Sequence, residues 1–136
     1  MRFLQTDAVA RMERFFDFAS VPASHQLIRQ EEYGNYMVVL LSGNVAVDRI
    51  STAGERMRLA ETVPGDILGE MSLLDGGARS SACTALTDCT VAVLGADALD
   101  RMMKDDPPLA AGLVALLARK LSWRLRVIGA RLAEPH

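Results

Sequence analysis

A series of short β-type segments between Leu27 and Leu94 constrains the fold of this chain more than any other feature. Each segment is a few residues long and stops at a turn signal, such as Ser42-Gly43-Asn44 or Pro64-Gly65-Asp66. Short, closely spaced strands of this kind are typical of an all-β sandwich, barrel or jelly roll. The predicted strands cover residues 27–29, 36–42, 45–51, 57–63, 81–86 and 89–94.

The segment before these strands has a helical pattern. Residues 7–18 read DAVARMERFFDF, and their apolar residues recur at the spacing of one helix face. We therefore predict an N-terminal amphipathic helix over residues 7–18, followed by a break at VPASHQ. The apolar residues of that face are Val9, Met12, Phe15 and Phe16.

Helical patterns return after Leu94. We predict a short helix over residues 96–104, which DDPP ends, and a long helix over residues 108–132, so that residues 96–132 form the C-terminal helices. Apolar residues cover two adjoining faces of the long helix. One face can pack on the strands while the other pairs with a second copy, which predicts a homodimer through this helix. The faces are Val114, Leu117, Leu121, Leu125, Ile128 and Leu132, and Leu109, Leu113, Leu116, Trp123 and Val127.

Composition favours one globular domain over residues 1–136. Half of the residues are hydrophobic, which suits a sizeable core. The formal net charge of −2 argues against a dedicated nucleic-acid binder, a class of protein that is usually strongly basic. It leaves room for a local site that binds one small anion.

The N-terminus lacks the uninterrupted apolar stretch of a secretion signal, and the longest apolar run, Met37 to Leu41, is too short to cross a membrane. These features predict a soluble cytoplasmic protein. Its two cysteines, Cys83 and Cys89, are then expected to be buried free thiols, with a disulfide between two strands as the alternative.

The stretch ILGEMSLLDGGARS contains the most distinctive pair of charges. Glu70 follows Gly69 directly, and Arg79 comes nine residues later, after the loop at Gly76-Gly77. Taken alone, the pair has two interpretations. It is an ordinary surface ion pair, worth about 0–1 kcal/mol, or it binds a ligand that carries both an anion and a hydroxyl group.

Residues 66–82 resemble the phosphate-binding cassette of cyclic-nucleotide-binding domains, which occur in bacterial catabolite activators, regulatory subunits of cAMP-dependent protein kinase and cyclic-nucleotide-gated channels. The resemblance extends over nearly the whole chain, because Gly34, Gly43 and the turn at Pro64-Gly65-Asp66 also match. It implies a mainly β fold with flanking helices: an antiparallel β jelly roll (double-stranded β-helix) with an N-terminal helix, a short phosphate-binding helix and C-terminal helices. The ligand-binding residues that it implies are Gly69, Glu70, Met71, Arg79, Ser80 and Ser81, with a weaker indication for Leu68.

The chemistry of a cyclic phosphate agrees with these residue types. A short helix beginning near Gly69 would present free backbone N–H groups to the single negative charge. Arg79 offers a planar fork for two phosphate oxygens, and Ser80 can add a donor. Glu70 suits the ribose 2′-hydroxyl, and loss of such a charged hydrogen bond costs about 1.5–3 kcal/mol, or roughly ten- to hundredfold in affinity.

The choice of base is less constrained. Ser80-Ser81 stands where kinase-type cAMP sites have Ala-Ala, and Ser80 is compatible with either purine. In this family the long C-terminal helix often caps the base, which singles out Ser122 and Trp123. Trp123 either stacks on the purine or packs against the strands or a partner helix, and packing is the favoured interpretation. We expect cAMP rather than cGMP.

Three rival functions differ in class. A metal-binding or enzymatic jelly roll needs several His and carboxylate ligands, whereas the chain has only His25 and His136, so we expect neither a metal nor an enzyme. A transcription factor of the catabolite-activator type would need a further domain, so this chain is not expected to bind DNA, and the basic residues of the last helix, including Lys120, are interpreted as a solvated face. A structural dimerisation module with an empty pocket remains open.

The sequence thus predicts a regulatory ligand-sensing domain. We expect bound nucleotide to order residues 69–80 and to reposition Leu73 and Leu74, which would move the short helix and, with it, the long one.

Overall fold

The computed structural model describes residues 10–70, 73, 77–79 and 81–133, with backbone only for residue 124 and residues 127–133. Within these residues the chain forms eight strands followed by two helices. The strands are β1 (Asp17–Val21), β2 (Gln26–Ile28), β3 (Tyr36–Ser42), β4 (Val45–Ile50), β5 (Arg56–Thr62), β6 (Ile67–Leu68), β7 (Ala82–Ala85) and β8 (Cys89–Gly95), and the helices are α1 (Ala96–Asp105) and α2 (Pro107–Ala133).

The strands form two four-stranded antiparallel sheets. The order is β1-β8-β3-β6 in the first sheet and β2-β7-β4-β5 in the second. The turn after β3 carries the chain from the first sheet to the second, while β4 and β5 remain in one sheet as a hairpin. This arrangement confirms the predicted antiparallel jelly roll with flanking helices.

Strand β3 of the first sheet is buried on both faces, which explains its unbroken apolar run. Met37 and Val39 face a cluster that the two helices share, the helix-side core, whereas Val38 and Leu40 face the second sheet in the inter-sheet core. A strand that is buried on both faces needs apolar residues at every position instead of an alternating pattern. The second sheet differs, because residues 56–61 of its edge strand β5 are all exposed.

The predicted N-terminal helix over residues 7–18 is wrong in its second half. Helical backbone covers residues 10–12, residues 7–9 lie outside the described residues, and Asp17 begins a strand. That strand, β1, pairs with β8, and Asp17 lies opposite Val93. The predicted helix face is nevertheless buried in the helix-side core, through Met12, Phe15 and Phe16. Pairing with an open sheet edge has overridden the local helical spacing.

The C-terminal helices were predicted to within one residue at each described end. Asp106 separates them, and its Oδ1 accepts a hydrogen bond of 3.4 Å from the backbone N–H of Leu109. Pro107 is the first residue of α2, a position where a missing N–H costs nothing. The two predicted faces of α2 are not one buried and one exposed. Leu117, of the first face, is buried beside Leu113, of the second, whereas Trp123, also of the second, is 68% exposed.

Candidate functional site

The turn at Pro64-Gly65-Asp66 delivers the chain to the site. The N–H of Gly65 donates to the carbonyl of Leu40 at 2.7 Å, and the carbonyl of Asp66 accepts from the N–H of Leu40 at 2.9 Å. The Asp66 carboxylate closes the turn by accepting from the N–H of Val63. These bonds fix the two-residue strand β6 against β3, and so fix the start of the segment that carries Gly69 and Glu70.

Arg79 is held from the other side by the loop before β3. Its N–H donates to the carbonyl of Glu32 at 2.8 Å, and its carbonyl accepts from the N–H of Glu31 at 2.9 Å. An isolated bridge between Tyr33 and Ala78 continues this pairing. The loop that the sequence marks only as a polar interruption is thus the support on which Arg79 rests.

The guanidinium of Arg79 is buried, with 4% of the residue exposed. It donates to the carbonyl of Gly69 at 2.8 Å and to the carbonyl of Tyr36 at 2.7 Å, and its carbon lies 4.6 Å from the centre of the Tyr36 ring. A Cβ at Gly69 or Gly34 would overlap the guanidinium. Gly69 also has a φ of +76°, a conformation that glycine adopts without strain. The two glycines therefore make room for Arg79.

Glu70 is also buried, with 2% of the residue exposed. Its Oε1 lies 3.3 Å from Nζ of Lys120, which α2 contributes. A buried carboxylate is tolerated when an opposite charge compensates it. The interpretation of Glu70 and Arg79 as a surface ion pair is therefore wrong: both residues are buried, and Glu70 forms an ion pair with Lys120.

These side chains meet in one cavity of about 590 Å³. Cavities of roughly 300–1,000 Å³ accommodate small molecules and cofactors. The predicted site residues Leu68, Gly69, Glu70, Arg79, Ser81 and Trp123 all belong to its lining.

Met71 and Ser80 lie outside the described residues. Ser122 is exposed on α2 and does not belong to the cavity lining. Trp123 lies at the cavity and is mostly exposed, so the favoured interpretation that it packs against the strands is wrong, while packing against a partner helix stays a prediction.

Sequence reasoning missed several lining residues. They come from all four strands of the second sheet and from α2, and a pattern of alternating strand residues does not show which side chains share a cavity. Lys120 had one usable signal, since it precedes Trp123 by three residues and therefore shares its helix face. The missed residues include Ile28, Val47, Leu59, Thr62, Cys83 and Lys120.

Cys83 reports on the electrostatics of this cavity. Burial raises the pKa of its thiol to about 11, an effect that the charge of Glu70 reinforces and the charges of Arg79 and Lys120 oppose. Both cysteines are buried free thiols, as the sequence predicted.

Among the described residues, no three or more His, Cys, Asp or Glu side chains come together as candidate metal ligands. In the same part of the chain, no helix combines the length and the apolar character needed to span a membrane.

Known proteins resemble the chain over most of its length. It is 33% identical over 107 residues to the cyclic AMP receptor protein of Thermus thermophilus, an alignment that covers 79% of this chain and 50% of the relative. It is 28% identical over 118 residues to a CRP-like cAMP-activated global transcriptional regulator of Mycobacterium tuberculosis, covering 87% of this chain and 53% of the relative. The chain thus spans about half the length of these curated relatives.

A solved structure shows the same fold. The crystal structure of a cyclic nucleotide-binding domain from Methylobacillus flagellatus superimposes with a TM-score of 0.83 at 28% identity, covering 94% of this chain and 72% of that structure. The family model of the cyclic nucleotide-binding domain matches residues 18–106, which include all of β1 but its first residue, the other seven strands, Glu70, Arg79 and α1. The chain therefore belongs to the cyclic nucleotide-binding domain family.

Proposed function

We propose that this chain is a regulatory domain that binds cAMP, in preference to cGMP, in the cavity beneath α2 and transmits binding to that helix. One observation carries the proposal: a buried carboxylate, Glu70, and a buried guanidinium, Arg79, line the same cavity of about 590 Å³. The two groups match the two polar parts of a cyclic nucleotide, its hydroxylated ribose and its charged phosphate.

Arg79 is the proposed phosphate ligand. Its contacts with the carbonyls of Gly69 and Tyr36 and with the Tyr36 ring orient the guanidinium before any ligand arrives. Such preorganisation lowers the entropy cost of binding. A buried guanidinium also forms stronger hydrogen bonds to an anion than an exposed one, because water screens the charge less. Gly69, Ser80 and Ser81 are proposed to complete the phosphate site.

Glu70 is the proposed ribose ligand. A carboxylate accepts a hydrogen bond from the 2′-hydroxyl and selects ribonucleotides over 2′-deoxy forms. At about 1.5–3 kcal/mol for a hydrogen bond to a charged group, this discrimination amounts to roughly ten- to hundredfold. Met71 and Leu68 are proposed as neighbours of the sugar.

The names of the relatives favour cAMP over cGMP, and Trp123 offers a contact for either purine. The relatives of this chain include a protein named as a cyclic AMP receptor and another named as cAMP-activated. The exposed ring of Trp123 at the cavity provides a surface on which a purine can stack. Ser122, on the same helix, is the weaker candidate for contact with the base.

Transmission to α2 is proposed to run through the helix-side core. Leu73 is buried in that cluster together with Leu99 of α1 and Leu113 of α2. A nucleotide that orders residues 69–80 would move Leu73, and Leu74 beside it in sequence, against both helices. Because a packed core has discrete arrangements, such a shift selects among existing positions of α2.

The remaining parts of the proposal concern the setting of this domain. It is proposed to act as a binding domain and not as an enzyme, to form a homodimer through α2 and to reside in the cytoplasm. The two free thiols support the last point, since reducing compartments keep cysteines unpaired.

Titration calorimetry with cAMP, cGMP and a cyclic dinucleotide tests the proposal. We expect saturable heat with cAMP and weaker binding of cGMP. Arg79→Leu should abolish binding. Glu70→Ala should lower the affinity for cAMP and leave the affinity for 2′-deoxy-cAMP nearly unchanged. Equal loss for the ribo and deoxy ligands would contradict the role of Glu70.

A structural dimerisation module that binds no ligand is the second candidate. The ion pair between Lys120 and Glu70 favours it, because the chain itself then compensates the buried carboxylate. An absence of both heat and thermal stabilisation at millimolar cAMP, cGMP and cyclic dinucleotide would decide for this alternative.

A further inference from the structure

Lys120 connects α2 directly to the floor of the cavity. Its Nζ lies 3.3 Å from Oε1 of Glu70 and also donates a hydrogen bond to the carbonyl of Ile67. The Lys120 side chain is 28% exposed and belongs to the cavity lining. The prediction that it lies on a solvated basic face is therefore wrong.

Both contacts of the ammonium fall on the same short segment. Ile67 belongs to β6, and Glu70 follows it after the left-handed Gly69. Since Glu70 is almost fully buried, its charge is screened little by water, and the ammonium is held where it compensates that charge. The pair thus ties α2 to the segment that frames the cavity.

The position of the ammonium has a consequence for any ligand. Lys120 and Glu70 both line the cavity, so a hydroxyl that approaches Glu70 meets the ammonium beside Oε1. A ribose hydroxyl would donate to the same buried carboxylate whose charge the Lys120 ammonium compensates from 3.3 Å. Binding of one therefore weakens the hold of the other.

We propose that Lys120 is the residue through which α2 senses the ligand: the ribose hydroxyl exchanges with the Lys120 ammonium at Glu70 and releases this tether. The proposal rests on the proposed function, because it takes Glu70 as the acceptor of that hydroxyl. It adds a direct coupling to the indirect one through Leu73. Linkage makes the coupling reciprocal, so a helix held by Lys120 lowers affinity for the nucleotide.

The first arm of the test needs no ligand. Lys120→Met, Glu70→Gln and the double variant are compared by hydrogen exchange of the backbone amides at residues 117–126. Each single variant should speed exchange there, on the order of tenfold, and the double variant should add little more, as expected for two partners of one contact. Fully additive effects would overturn the tether.

The sequence offers a matched control for that arm. Lys104 is the other lysine of the chain and lies exposed near the end of α1. Lys104→Met removes the same charge without touching the cavity, so exchange at residues 117–126 should stay as in the unmodified chain. A response equal to that of Lys120→Met would attribute the effect to net charge and contradict the tether.

The second arm titrates cAMP and 2′-deoxy-cAMP into the unmodified chain, Lys104→Met and Lys120→Met. Without the competing ammonium, Lys120→Met should bind cAMP at least as tightly as the unmodified chain does. Its preference for cAMP over the deoxy analogue should rise severalfold. The change that cAMP causes in exchange at residues 117–126 should be lost in Lys120→Met and kept in Lys104→Met.

The outcomes separate the two proposals. If Lys120→Met weakened the binding of cAMP and 2′-deoxy-cAMP equally, Lys120 would be a simple contact for the phosphate. That result would overturn the proposed replacement of its ammonium by the ribose hydroxyl. An unchanged response of α2 in Lys120→Met would also overturn it. If the unmodified chain binds neither ligand, the proposed function fails, and the proposed replacement of the Lys120 ammonium by the ribose hydroxyl fails with it. The ligand-free arm still decides whether Lys120 tethers α2 to Glu70.

Discussion

At the scale of single residues, the position of the Arg79 guanidinium depends on neighbouring residues that are small enough to leave room for it. Two glycines that are 35 positions apart in the sequence, Gly34 and Gly69, border its guanidinium, and a methyl group on either would overlap it. The sequence motif around Arg79 identifies this residue as a candidate anion ligand. Part of the space that its guanidinium occupies is provided by Gly34, in a loop from a different part of the chain. The role of Gly34 is consequently a product of the tertiary structure.

The first prediction follows from that space. Gly34→Ala should displace the guanidinium and weaken cAMP binding by on the order of tenfold, because overpacking at a tight site costs about 1–3 kcal/mol. Gly95→Ala is the matched control, since the nearest atom to its added Cβ, the carbonyl oxygen of Asn35, lies 3.9 Å away. Calorimetry should show normal affinity for the control. Equal affinities of the two variants would contradict the conclusion that Gly34 makes room for the Arg79 guanidinium.

The second prediction concerns Cys83. Burial raises the pKa of this thiol to about 11, so its thiolate fraction at pH 8 is roughly a hundredfold below that of an ordinary cysteine. Alkylation of Cys83 should therefore be slow and should accelerate as the pH rises towards 11. Because the thiol lines the cavity, bound cAMP should slow it further.

Cys89 supplies the internal control for this experiment. It is the first residue of β8 and is buried in the inter-sheet core. It does not belong to the lining of the cavity, so cAMP should leave its alkylation rate unchanged. Peptide mass spectrometry separates the two sites. Protection of both cysteines alike would indicate general tightening of the protein instead of an occupied cavity.

At the scale of elements, the junction between α1 and α2 is tied to the N-terminal segment. Nε of Arg11 donates to Oδ2 of Asp106 at 2.8 Å, and Nη2 of Arg11 pairs with Oδ1 of the same carboxylate. The pair holds residues 10–12 against the point where one helix ends and the next begins. It therefore fixes how the two C-terminal helices start from the jelly roll.

The third prediction is a pH dependence at this junction. The hydrogen bond from Arg11 lowers the pKa of Asp106 below its ordinary value of 3.8. A carboxyl group whose pKa is lower in the folded state stabilises the fold above its unfolded pKa, and this contribution disappears as the pH falls through the folded value. Asp106→Asn should thus lower the free energy of unfolding at pH 7, and the difference should shrink below pH 3.8.

Urea unfolding at pH 7 and at pH 3 measures that difference. Asparagine is as good a helix N-cap as aspartate, so the substitution removes the charge while retaining the cap. Asp105→Asn, at the exposed neighbouring position, is the control and should change stability little at either pH. A deficit of Asp106→Asn that is equally large at both pH values would show that the charge is not its cause.

The fourth prediction tests transmission between elements. Leu73 packs with α1 and α2 in the helix-side core, so cAMP should alter hydrogen exchange over residues 96–130. Leu73→Ala should reduce that response, because it removes the side chain that links the cassette to the helices, at a stability cost of about 2–5 kcal/mol. Unaltered exchange over residues 96–130 on saturation with cAMP would refute the proposed transmission.

At the scale of the whole molecule, α2 presents more apolar surface than the jelly roll covers. Leu113 and Leu117 are buried against the first sheet and α1, while Val114, Trp123 and Leu125 are 43%, 68% and 69% exposed. Isolated exposed apolar residues are common on protein surfaces, but Val114 and Leu125 are eleven residues apart, which places them on one face of the helix, and such a face suits a helix–helix contact. The proposed homodimer would use Val114 and Leu125, while Trp123 lies at the cavity.

The fifth prediction follows from that surface. Light scattering at micromolar concentration should give the mass of a dimer, and Leu125→Glu should reduce it to that of a monomer, since a buried unpaired carboxylate at an interface is costly. Met103→Glu places the same charge on an exposed position of α1 and should leave the dimer intact. A monomeric mass for the unmodified chain would exclude the homodimer.

The sequence determined by itself the elements whose signals are local. The turn residues and apolar periods located β3, β4, β5, β7, β8 and both C-terminal helices to within about two residues, because each of these elements carries its own pattern. The cassette around Glu70 and Arg79 was recognisable for the same reason. These inferences depend on residues that are neighbours in the chain.

Only the tertiary structure decided what depends on distant partners. Residues 17–21 became a strand because β8 offered an unpaired edge, and β6 is too short for any period to reveal it. Glu70 proved to be buried, with its counter-ion 50 positions away in α2. Spacing along a chain fixes which side chains share a strand or helix face, but burial and charge compensation are decided where separate elements pack, and there the cavity between Arg79, Glu70 and Lys120 took its form.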